Sequence, residues 1–136
     1  MLAGTAEEMI QQYNALGAML ASQMPPPDAS VSTSEEKIDN GVTLRIYKPR
    51  EAQDGKKLPV GVYTHGGGYI CGNLDSEDPV CRALAHHVPC IIVSVDYRLG
   101  PKHKMPVMVD DTMAGYKWVC NPVSYTHLTL PTKRIV

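Results

Sequence analysis

Three glycines in a row stand behind a histidine, His65-Gly66-Gly67-Gly68, in the run Tyr63 to Asn73, YTHGGGYICGN. Glycine loses more backbone freedom on folding than any other residue, so a run of it is expected where backbone must approach something closely or present its amides outward. Two chemistries use such amides: cradling a phosphate, and stabilising the oxyanion that develops in acyl transfer. The phosphate reading fails on spacing. A G-x-G-x-x-G fingerprint needs glycine where Cys71 stands, and a Walker pattern needs Lys and Ser or Thr after the last glycine, where Gly72 is followed by Asn73 and Leu74. The oxyanion reading fits, because consecutive glycines let two amides face one point with no side chain in the way. Each well-aimed donor contributes about 3 kcal/mol to such a transition state.

The elements around the run must hold it. Leu58 to Tyr63 before it and Ile91 to Val95 after it are nearly continuous apolar runs, the pattern of strands buried on both faces. Between them Asp75 to His87 reads as a helix. Ser76 or Asp75 is its candidate cap, Glu77 and Asp78 suit the positive end of its dipole, and Pro79 is tolerated in its first turn. Its predicted apolar face is Val80, Leu84 and Val88 with Cys81 and Ala85. Strand, glycine loop, helix, strand makes one βαβ unit, so the two buried strands are expected to be parallel.

Upstream, SVSTSEEKIDN ends in an Asp39-Asn40-Gly41 turn, and Val42 to Tyr47 alternates apolar and polar residues as a strand that Lys48-Pro49 closes. REAQDGKK reads as a charged loop. At the start of the chain, Leu2, Ala6, Met9, Ile10, Tyr13, Leu16, Gly17 and Leu20 recur at helical spacing, with Gln11, Gln12 and Asn14 off that stripe; the helix stops before Met24 and three prolines. Its apolar stripe needs a partner surface. A last helix is expected at about Val107 to Trp118. The order α-β-β-β-α-β-α predicts an α/β domain.

Composition narrows the function. The 136 residues hold 13 basic and 14 acidic side chains, a formal charge of −1, so no electrostatic footprint for nucleic acid or an anionic membrane is expected. No apolar run approaches a membrane span. The first residues lack a basic leader and carry Glu7 and Glu8, so a cytoplasmic protein without a secretory signal is expected. Cys71, Cys81, Cys90 and Cys120 form no C-x-x-C pair, which points to reduced packing thiols and to neither a metal site nor a redox motif.

HGGG directly after a buried strand is the loop of α/β-hydrolase-fold lipases and esterases. Further on, Val95-Asp96-Tyr97-Arg98-Leu99-Gly100-Pro101-Lys102-His103-Lys104-Met105-Pro106, then Asp110-Asp111, matches a V-D-Y-R-L-A-P-E-x-x-x-P-A-x-x-E-D segment. Gly100 and Lys102 depart from it at positions that do no chemistry. On these two motifs residues 30–120 resemble the hormone-sensitive-lipase family of carboxylesterases. The resemblance implies the N-terminal part of an α/β-hydrolase fold, an incomplete, mostly parallel sheet with flanking helices and an N-terminal cap helix at residues 1–24. It implies that the amides of Gly67 and Gly68 are oxyanion donors and that His65 and Gly66 shape the loop; for His65 a plain buried histidine is an equal alternative. Tyr69 either lines the acyl pocket or simply packs. Asp96, Tyr97 and Arg98 look like a structural polar cluster. A small acyl-ester substrate is implied for the intact protein, with no cofactor and no metal, and a homodimer is allowed.

The nucleophile of this fold is a serine in G-x-S-x-G, followed by an acid and a histidine. Ser22, Ser30, Ser32, Ser34, Ser76, Ser94 and Ser124 all lack that setting, so none of the three catalytic groups is expected here and the 136-residue chain is expected to be inactive. Grouping Ser124, His127 and Asp110 or Asp111 as a triad has no support. The likeness stops after Pro122, and VSYTHLTLPT, within residues 123–136, resembles a translated sequencing adapter, which predicts a non-native tail after a partial hydrolase domain at 30–122. A natural truncated isoform is the alternative for the tail, and a non-catalytic hydrolase-fold receptor or binding protein the alternative for the function. In the intact fold the strand at Leu58 to Thr64 has neighbours on both sides. Here it is expected to form an exposed apolar edge, with poor folding as the consequence.

Overall fold

Alternation in the second strand organises the sheet. The computed structural model describes residues 4–27, 29–54 and 56–121. β1 (Val31–Lys37) and β2 (Thr43–Pro49) form an antiparallel hairpin across the Asp39-Asn40-Gly41 turn, pairing Val31 with Pro49 and Lys37 with Thr43. β2 then pairs antiparallel with β4 (Ile91–Asp96), and β4 pairs parallel with β3 (Val60–Thr64), giving the order β1-β2-β4-β3. The predicted parallel βαβ pair is therefore present as β3 and β4. Among the described residues the sheet is mixed, with one parallel pairing and two antiparallel ones, because the first two strands are joined by a tight turn and not by a crossover helix.

Leu44, Ile46, Val93 and Val95 are buried on the face that also receives Met108 and Tyr97. Tyr47, Ile92, Cys81 and Ala85 fill the other face. Each fully buried aliphatic side chain contributes roughly 1.5–3 kcal/mol. The helices follow from the loops between strands. α1 (Ala6–Gln23) begins in a capping box, in which the Glu8 amide donates to Thr5 Oγ1 while the Thr5 amide donates to the Glu8 carboxylate. α2 (Arg50–Gln53) is one short turn where the sequence suggested only a charged loop, and Pro49 belongs to β2 although it was expected to close it. A last strand residue with extended φ can also precede a helical turn.

α3 (Asp78–His87) and α4 (Val107–Cys120) cover the two faces. α3 starts later than expected, and neither Ser76 nor Asp75 caps it. Both sit in a tight turn whose amides donate to Asn73 Oδ1, and Pro79 occupies the first helical turn as expected. Cys81 and Ala85 are buried on α3, whereas Val80 and Val88 face outward. α4 approaches the sheet at Gly115, where a Cβ would lie 2.7 Å from Val95 Cγ2. The four cysteines are free thiols, three of them buried.

The stripe of α1 packs less than its spacing suggested. Met9, Ile10, Tyr13 and Gly17 are half-buried, while Leu16, Met19 and Leu20 are about half exposed and no residue of the helix is fully buried. The helix lies across the loop between β3 and α3, and that narrow support covers only one edge of the stripe. β3 is an outer strand of the described sheet, as predicted.

Candidate active site

The glycine loop leaves the end of β3 and turns through a series of left-handed residues. Gly67 has φ +120°, Gly68 +61°, Tyr69 +67° and Gly72 +93°. A Cβ on Gly67 would overlap the Cys71 carbonyl, so only glycine fits there. At Gly66 and Gly68 an added Cβ meets nothing within 4 Å, which leaves open the space over the loop.

Two carbonyls determine where the amides point. In a trans peptide the C=O of one residue and the N–H of the next face opposite ways. Gly66 O accepts from His65 Nδ1 at 2.8 Å, which turns the Gly67 N–H away from the histidine. A carbonyl can only accept, so Nδ1 carries the proton of this bond. Gly67 O accepts from the amides of Ile70 and Cys71, both at 3.2 Å, and from the Cys71 thiol at 3.1 Å, which turns the Gly68 N–H outward. Burial pushes the Cys71 thiol pKa up and keeps it a donor. Neither the Gly67 nor the Gly68 amide has an acceptor among the described residues. Two adjacent outward amides without partners can bind a single negatively charged oxygen.

Tyr97 braces this arrangement from the position just after β4. Its hydroxyl donates to His65 O at 2.7 Å, and its ring stacks on the imidazole with centroids 4.2 Å apart and planes 12° from parallel. His65 and Tyr97 are both buried, and Tyr69 meets Tyr97 edge-on at 6.0 Å. The Tyr69 carbonyl accepts from Gly100, tying the loop to the segment after β4. A cavity of about 270 Å³ opens here, lined by Thr64, His65, Gly68, Tyr69, Tyr97 and residues of α4. His65 is buried and bonded to the loop through Nδ1, while its Nε2 has no partner among the described residues. Tyr69 is half exposed at the cavity.

The cluster of Asp96, Tyr97 and Arg98 comes apart in three directions. Asp96 is exposed at the strand end, Tyr97 turns to the glycine loop, and Arg98 pairs with Asp111 of α4. The buried Asp111 carboxylate accepts from the Arg98 backbone at 3.0 Å and from its guanidinium at 2.9 and 2.7 Å, with Asn40 at 3.3 Å. The hydrogen bonds from Arg98 hold the Asp111 carboxyl below its usual range. Asp111 is thus a structural anchor; Asp110 is exposed, and Ser124 and His127 lie outside the described residues. Among the described residues no group of His, Cys, Asp and Glu could hold a metal ion, and no helix is long and apolar enough to cross a membrane.

The contacts of Asn14 and Cys71 have no signature in the sequence. Asn14 lies off the apolar stripe of α1, yet its Oδ1 accepts from the Gly72 amide at 3.4 Å. Cys71 has no sequence signal for its role beyond its place three residues after Gly68.

A glycine loop after a parallel strand, braced by Tyr97 from the segment that follows β4, is an arrangement of the α/β-hydrolase fold. A profile described as alpha/beta hydrolase fold matches residues 61–136, a span that includes the terminal residues. The chain belongs to the α/β-hydrolase fold, in its hormone-sensitive-lipase-like carboxylesterase family. It is 37% identical over 117 residues to versiconal hemiacetal acetate esterase of Dothistroma septosporum, covering 86% of this chain and 35% of that protein. Over 78 residues it is 49% identical to carboxylesterase NlhH of Mycobacterium tuberculosis, covering 57% of this chain and 24% of that enzyme. The Pyrobaculum calidifontis esterase structure superposes with a TM-score of 0.77 at 33% identity, over 96% of this chain and 41% of that one. The chain spans about a third of the length of the curated relatives it matches.

Proposed function

We propose that the intact protein is a serine carboxylic-ester hydrolase and that this chain supplies its oxyanion loop, with the amides of Gly67 and Gly68 as the two donors. The observation that carries this reading is the pair of carbonyls, Gly66 O and Gly67 O, held inward so that both following amides face out without partners. A serine attacks the ester carbonyl, the carbonyl oxygen gains negative charge, and the two preset amides stabilise it at no reorganisation cost. Serine, acid and histidine come from the part of the relatives' length that has no counterpart here, and the reaction needs no cofactor. The 136-residue chain alone is expected to be inactive. The half-exposed Tyr69 lines the acyl side of the cavity, whose 270 Å³ suits a short acyl group. That a relative is named for an acetate ester supports the same size class.

The test is hydrolysis of p-nitrophenyl acetate by the product of the longest reading frame containing these residues, and by residues 1–136 alone. Turnover is expected only in the longer protein, with kcat/KM lowered roughly 100-fold or more by Gly67→Ala. An inert long protein, or a short chain more active than its Gly67→Pro variant, would refute the proposal.

A further inference from the structure

α1 is the least anchored element of the fold, and one of its few polar links reaches the loop that matters most. None of its residues is fully buried, and Leu16, Met19 and Leu20 stay about half exposed. Nonetheless Asn14 spans 58 residues of sequence to accept from the Gly72 amide. Gly72 is buried, and Asn14 Oδ1 is the acceptor its N–H finds among the described residues. A buried amide left without an acceptor is costly, so this contact is not an idle surface bond.

Gly72 is also the residue that backs the histidine. At its φ of +93°, a Cβ would lie 2.5 Å from Gly66 O and 2.6 Å from His65 Nδ1. The backbone of Gly72 therefore sits directly against the His65-to-Gly66 hydrogen bond that turns the Gly67 amide outward. We propose that Asn14 is a positioning residue for the glycine loop, acting from α1 through the Gly72 amide, so that docking of the helix and orientation of the Gly67 amide are linked. The helix tightens the loop when it is seated, and the loop loosens when the helix lifts. The catalytic meaning of this link rests on the oxyanion reading above, whereas the link itself is a property of this chain and is measured without any ester.

The experiment is amide hydrogen exchange on the 136-residue chain, followed at Gly72 and at Ile70 and Cys71, whose amides hold Gly67 O, with β2 and β4 as internal references. Asn14→Ala removes the acceptor while raising intrinsic helix propensity, so any loosening cannot come from a weaker helix. Exchange at Gly72 is expected to quicken roughly fivefold, with smaller increases at Ile70 and Cys71 and none in β4. Asn14→Asp, nearly isosteric and a stronger acceptor, is expected to slow Gly72 relative to the native residue. Gln11→Ala, one turn away, is expected to change nothing at the loop. Unchanged exchange at Gly72 in Asn14→Ala, or an equal effect from Gln11→Ala, overturns the proposal. If Asn14→Ala also loses protection in β4, the aspartate variant decides alone, and exchange at Gly72 no slower than native overturns it. An ester-inactive long protein showing this exchange pattern would sink the esterase reading and leave the linkage standing.

Discussion

At the level of single residues, two tethered carbonyls fix the peptide planes of an otherwise flexible glycine run. Gly67 is its least replaceable member, since its φ and the Cys71 carbonyl both forbid a side chain. Gly67→Ala is expected to cost about 1–3 kcal/mol from backbone strain alone, and more from the overlap, read as a drop in the urea midpoint of the chain. Asp111 yields a pH prediction. Its folded pKa is depressed by Arg98, so its contribution to stability is complete above the ordinary aspartate value near 4 and is lost as pH falls through the lower folded value. The urea midpoint of the native chain is therefore expected to fall below about pH 4 more steeply than that of Asp111→Asn. Parallel profiles would show that the Arg98 pair does not set this slope.

Among the elements, α4 and α1 are opposites in how they meet the body. α4 comes so close at Gly115 that a methyl group would lie 2.7 Å from Val95 Cγ2 and 3.3 Å from Leu44 Cδ2, both on buried residues with no room to retreat. Gly115→Ala gains about 1 kcal/mol of helix propensity, but overpacking costs about 1–3 kcal/mol. The net expectation is a lower melting temperature, checked by thermal denaturation; a rise would mean the helix can shift outward freely. The start of α3 shows how local signals mislead. Asp75 and Ser76 are good caps by type, yet Asn73 captures their amides in a turn, and the helix begins only at Asp78. Sequence alone could not rank a turn against a cap three residues apart.

Across the molecule, β3 is an outer strand, and beside it α4 exposes Val109, Met113 and Tyr116 along one face. An apolar strand edge next to an apolar helix face favours pairing with another chain. The 136-residue chain is expected to self-associate at about 100 µM. The double substitution Met113→Lys, Tyr116→Lys is expected to raise the monomer fraction severalfold in sedimentation velocity. A native chain that remains a monodisperse monomer with a cooperative melt would contradict this.

The family and the βαβ unit were legible in the chain, because two nearly continuous apolar runs flanking a glycine loop and a helix are local patterns. HGGG after Leu58 to Tyr63 needed no coordinates to be recognised, and β3 and β4 run parallel as the crossover length required. The bonds that turn the Gly67 and Gly68 amides span only one to four residues, but the contacts that brace that loop against the rest of the fold are tertiary. Tyr97 could be paired with His65 and Arg98 with Asp111 only once separate segments met. The same holds for Asn14, which helical periodicity set among the solvent-facing residues and the fold turned toward Gly72. Periodicity reports how a side chain stands on its own helix, whereas a peptide plane turns on partners up to 58 residues away.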